Sequence, residues 1–161
     1  MKGCPGVLES GLVPPAALEP GMAYLPLILP VFAMVALTFV VMLRMYTQRV
    51  AEFRAKGIHP DEVKTRQRFR ERLTDSANSA DNYSNLLELP VLFYAAMLIA
   101  LALLVTDPVL VALAWLYVAS RAVHSYIHVT YNKVMHRFQA FAVSSVILLL
   151  IWVRLGMLVL A

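Results

Sequence analysis

Four long stretches nearly free of charge constrain this chain more than any other feature. Met22–Leu43 carries no charged residue, Leu86–Val105 only Glu88, Val109–Tyr131 only Arg121, and Phe138–Leu160 only Arg154. A helix rising 1.5 Å per residue crosses the ~30 Å hydrocarbon layer of a bilayer with about 20 such residues. Composition agrees: 60% of the 161 residues are hydrophobic and 15% charged, against roughly 45–50% and 25% in soluble domains. Four spans use most of the length, which excludes a soluble Rossmann or P-loop module. Any chemistry belongs among the helices or at the membrane face.

The reading is an all-α integral membrane protein with helices at about 22–46, 84–105, 109–132 and 137–160. The turn Thr106-Asp107-Pro108 and the connector Asn132–Arg137 are short. They force antiparallel neighbours, hence a four-helix up-down bundle. Residues 1–21 hold Pro5, Pro14, Pro15 and Pro20 with four glycines, so the expectation is a disordered tail, or a native start at Met22. Lys2 alone makes no signal-peptide n-region. The single Cys4 excludes a disulfide framework.

Charge sets the expected orientation. Residues 44–85 hold nine of the fourteen Lys and Arg, interleaved with six acids. The region over about 47–83 therefore reads as a mixed-charge loop with helical extensions, and a clean basic face for nucleic acid is missing. With Lys133 and Arg137, eleven cations fall on one side, against Lys2 and Arg154 on the other. The positive-inside rule then puts loops 44–85 and 132–137 in the cytoplasm and both termini opposite. Arg154 is expected to snorkel outward.

The third stretch departs from a plain span. Arg121, His124 and His128 at i, i+3 and i+7 share one helical face; Ser125 lies beside them and Tyr131 continues the stripe. Ionisable groups inside a span normally face a bundle interior, a cavity or a partner. Glu88 on the second span reads either as the reciprocal acid of a cap at Asn85 or as an ion-pair partner of Arg121. His124 and His128 could chelate a metal, but no third ligand is evident beyond His136 or Glu88, so no metal is expected. A pocket and an inter-helix hydrogen-bonding seam both remain open.

These residues resemble the MAPEG family, the membrane-associated proteins of eicosanoid and glutathione metabolism. Asn85-x-x-Glu88-x-Pro90 is similar to the opening of that family's second helix, and Arg121-x-x-His124-x-x-x-His128 to its third-helix motif. Arg137 falls where the family carries the arginine that acts on the glutathione thiol. The resemblance implies a homotrimer binding glutathione between subunits near the cytoplasmic face, with a lipophilic substrate entering from the bilayer. Arg137 would be catalytic; Asn85, Glu88, Arg121, His124, His128 and Tyr131 would hold the tripeptide. The chain departs from the pattern at Asp81 and Ser84, where the family's eukaryotic enzymes carry arginines that grip glutathione, at His128, where an aromatic hydroxyl is usual, and at Phe138 after Arg137 in place of a serine. The implied activity is thiol transfer or peroxide reduction. A non-catalytic member binding a lipid or partner is the alternative; a small transporter is a third reading, without the internal repeat transporters show.

Overall fold

A computed structural model describes residues 24–160, so the tail expected over 1–21 lies outside the described residues. Among the described residues every regular element is helical. Helix α1 spans Leu25–Lys56, with Pro26 in its first turn, where a missing amide is not needed. It runs ten residues past the expected end near 46, because Thr47–Lys56 contains no breaker and is rich in helix formers. Gly57 stops it: at φ +60° it is in the left-handed region, where a side chain would be strained. Its N–H and that of Ile58 return to the carbonyls of Arg54 and Phe53.

The stretch expected as a loop over 47–83 is mostly folded. After α1 come a 3-10 turn, Pro60–Val63, and the short helix α2, Arg66–Arg72, capped by Thr65. Ile58, Val63 and Leu73 form a small second core with Phe53 and Phe69. Wide spacing of these five residues hides the core from any periodicity argument. Helix α3, Ala77–Glu88, begins seven residues before the expected 84. Glu52, eight residues beyond Arg44 and outside the apolar stretch, supplies what its first turn needs. Its carboxylate is buried, accepts the Asp75 and Ser76 amides at 2.9 Å each, and pairs with Lys56. Burial pushes this carboxyl up, but the Lys56 ammonium and the two amides outweigh it and hold it at about 2.

Helix α4, Pro90–Ala102, continues α3. Asp107 opens α5, Pro108–Val129, by accepting the Leu110 amide at 2.8 Å. Helix α6 spans Val134–Leu160. Arg154 of α6 does not snorkel outward as expected. Its Nε and Nη2 donate to the two Asp107 oxygens at 3.1 and 2.7 Å, tying α5 to α6 at the end away from the charged loop. The guanidinium hydrogen bonds hold the Asp107 carboxyl below the usual carboxylate range.

The four long helical stretches pack around one apolar core, in which Met34 of α1, Phe93 and Met97 of α4, Tyr117 of α5 and Ile151 of α6 are fully buried. Phe93 and Tyr117 stack at 4.8 Å. Outward-facing Phe32, Leu98, Leu116 and Leu149 are mostly exposed. Each of the four stretches is long and apolar enough to cross a membrane, so those side chains face lipid at no cost.

Candidate functional site

Polar burial concentrates in the half of α5 nearest the charged loop. Arg121, His124, Ser125 and His128 are all at most 3% exposed, a higher polar density than the apolar core tolerates without reason. Arg121 Nη2 donates to the backbone carbonyl of Asn85 at 2.8 Å. Pro90 has no amide for the Leu86 carbonyl four residues before it, and the guanidinium docks on the neighbouring Asn85 carbonyl. The Asn85 side-chain amide in turn donates to His128 Nε2 at 3.5 Å. His124 Nδ1 donates to the carbonyl of Arg137 at 3.2 Å, joining α5 to the start of α6. The two imidazoles meet edge to face at 5.4 Å.

Arg137 reaches this seam because of the connector before it. Asn132 adopts φ +44°, a left-handed conformation that asparagine tolerates. Its N–H returns to the Ile127 carbonyl, closing the end of α5, and its side-chain oxygen accepts Arg137 Nη1 at 3.0 Å. Arg137 thereby lines a cleft of about 210 Å³ with Asn85, His124, Val134, Phe138 and Phe141. The cleft has a cationic and imidazole side and an apolar, aromatic side.

Of the residues singled out from sequence, Asn85, Arg121, His124, His128 and Arg137 come together here. Two do not. Glu88 is exposed, and its helix register puts it on the outward face with Ser84, Leu87 and Val91. Asn85 lies inside α3, so Asn85 and Glu88 do not form a cap, and Glu88 makes no ion pair with Arg121. Tyr131 falls beyond the end of α5, is half exposed, and its hydroxyl meets His136 Nδ1 at 3.2 Å. Sequence reasoning missed Asn82 and Asn132. Asn82, fully buried with both side-chain polar atoms unpaired, precedes Asn85 by three residues and so shares its face. That spacing was the available signal.

Several polar atoms in the seam have no partner among the described residues: the Arg121 Nε and Nη1 donors, the Ser125 hydroxyl and the His124 Nε2 acceptor. Buried unpaired donors are costly. Around a guanidinium with no carboxylate in hydrogen-bonding range among the described residues, they fit a polar, anionic ligand. Guanidinium donors of this kind suit a carboxylate. The adjoining cleft falls below the ~300–1,000 Å³ typical of ligand pockets. Among the described residues no group of three His, Cys, Asp or Glu side chains could hold a metal ion.

A model of the MAPEG family matches residues 27–157, which takes in all but the outermost residues of the four long helical stretches and every residue of the seam. No curated protein and no solved structure matches the chain.

Proposed function

Because the chain belongs to the MAPEG family and is a multi-pass integral membrane protein, we propose that it is a thiol-dependent transferase or peroxidase, using glutathione on a lipophilic substrate. The observation that carries this reading is Arg121, a fully buried guanidinium with two nitrogens unpaired, beside a cleft that Arg137 lines.

Bound glutathione would supply the thiol. Arg137 would lower the thiol's pKa, since a neighbouring cation favours thiolate. Its own hydrogen bond to Asn132 keeps the guanidinium oriented. Arg121, fixed by the Asn85 carbonyl, would take a carboxylate through its free Nε and Nη1; His124 Nε2 and Ser125 Oγ would serve the peptide's polar backbone. Phe138 and Phe141 form the apolar wall against which a lipophilic electrophile would rest. The reading includes a homotrimer, which would enlarge the cleft and give outward-facing Glu88 and Tyr131 a neighbouring subunit to meet. Eleven of the fourteen Lys and Arg flank the site on the loop side, which favours the cytoplasmic face.

The test is thermal unfolding of detergent-solubilised protein with and without millimolar glutathione. A ligand that binds only the folded state raises the midpoint, by about 2.7 kcal/mol of stability at one hundred times its Kd. Conjugation of a chlorodinitrobenzene-type electrophile should accompany the shift, and Arg137→Ala should remove conjugation while leaving much of the shift. No shift and no conjugation would refute the proposal. Asp81 and Ser84, standing where the family's arginines are expected, favour a second reading in that case: a non-catalytic member that binds a lipid or protein partner.

A further inference from the structure

A cavity larger than the Arg137 cleft lies outside the seam, on the loop side of the molecule. It measures about 610 Å³ and sits between the extension of α1, helix α2 and the first turns of α3. Arg49, Phe69, Arg70, Ser76, Asp81 and Ser84 line it, with Met45 at its membrane end. Two arginines and the Ser84 hydroxyl facing one cavity can hold a phosphate.

Three observations specify the ligand further. The Arg49 guanidinium lies over the Phe69 ring at 4.8 Å, and its Nε is buried without a protein partner. Stacking fixes the plane of the cation without neutralising it. Neither Arg49 nor Arg70 forms an ion pair among the described residues. Glu52, the buried acid nearby, is already committed to Lys56 and to the Asp75 and Ser76 amides. Asp81 is the one acid on the wall, and it is exposed.

Height selects the source of the phosphate. Arg44 ends the charge-free part of α1, and Arg49 follows five residues later, about 7 Å higher along the helix. That is the depth of the headgroup layer, about 5–7 Å thick on each side of the hydrocarbon. Met45, one residue from the hydrocarbon edge, leaves the membrane end of the pocket apolar, where acyl chains can pass. Helix α2 turns Phe69 inward and carries Arg68 and Arg72 outward, as an interfacial helix does, with Arg70 exposed at the mouth of the cavity.

We propose that this pocket binds the phosphate headgroup of an anionic phospholipid from the leaflet on the charged side, with Arg49 and Arg70 as its phosphate ligands. The site locks α2 and its small core onto α1 and α3. It shares no lining residue with the Arg137 cleft, although Asp81 and Ser84 on its wall stand where the family's arginines grip glutathione.

Native mass spectrometry of the full chain, mixed with phosphatidylglycerol or phosphatidylcholine in detergent micelles, reads the site directly. One phosphatidylglycerol per protomer should be retained in preference to phosphatidylcholine. Arg49→Gln and Arg70→Gln should each weaken retention about fivefold or more, whereas Arg54→Gln, exposed and outside the pocket, should not. Arg70 is an exposed side chain without a packing role, so its variant tests the site even if Arg49→Gln fails to fold. Equal losses in all three variants would overturn the proposal, because general charge attraction would then explain the binding. Glycerol phosphate competing as well as the intact lipid would also overturn it, by assigning the pocket to a soluble anion. So would a glutathione-induced stabilisation that Arg70→Gln abolishes.

Discussion

Replacing Arg121 with methionine separates a functional seam from a structural one. The side chain is fully buried and makes one protein hydrogen bond, to the Asn85 carbonyl at 2.8 Å. Losing that charge-assisted bond costs about 1.5–3 kcal/mol, while Nε and Nη1, both unpaired, each cost about 1–3 kcal/mol to bury. Methionine fills a similar channel and carries no donor. The balance favours the variant by about 2 kcal/mol, within the roughly 1–4 kcal/mol seen when buried ionic groups give way to apolar ones. At about 2–4 °C per kcal/mol for a chain of this length, Arg121→Met should raise the ligand-free thermal midpoint by roughly 4–8 °C. It should also abolish any midpoint shift on adding glutathione. Differential scanning fluorimetry in detergent reads both. A ligand-free midpoint several degrees below that of the parent would refute the reasoning, because the guanidinium would then be holding the helices together.

Two further predictions concern the ends of the bundle. Asp107 has a carboxyl held below its ordinary value by Arg154. Its contribution is therefore complete above the ordinary carboxylate value of ~3.9 and is lost as pH falls through the lower folded-state value; Asp107→Asn should lower the midpoint at pH 7, and the gap to the parent should close as pH drops below about 4. Glu52→Gln leaves the Asp75 and Ser76 amides with a weaker acceptor and Lys56 without its charge partner. It should cost about 1–3 kcal/mol locally, read as faster proteolysis within 57–76 while the long helices stay protected.

The positions of the spans were legible in the sequence because lipid demands an unbroken apolar run, and a run of that length has one stable backbone form. The one-face spacing of Arg121, His124 and His128 was legible for a similar reason: helical periodicity fixes which residues are neighbours along one element. The folded region after α1 was not, since Phe53, Ile58, Val63, Phe69 and Leu73 meet only after the chain has turned at Gly57. Nor was the fate of the charged residues. Glu88 and Arg121 are opposite in charge and close in topology, yet the register of α3 turns Glu88 outward and gives Arg121 a backbone carbonyl instead. Arg154 and Asp107 are 47 residues apart, and only the packing of α6 against the start of α5 pairs them. Sequence by itself determined the number of spans, the two short connectors and the charge asymmetry, because these follow from solvent and local geometry. Tertiary structure decided which polar groups are satisfied and which are buried with donors free, because that depends on the rotation of each helix against its neighbours, and it is those free donors that mark the site.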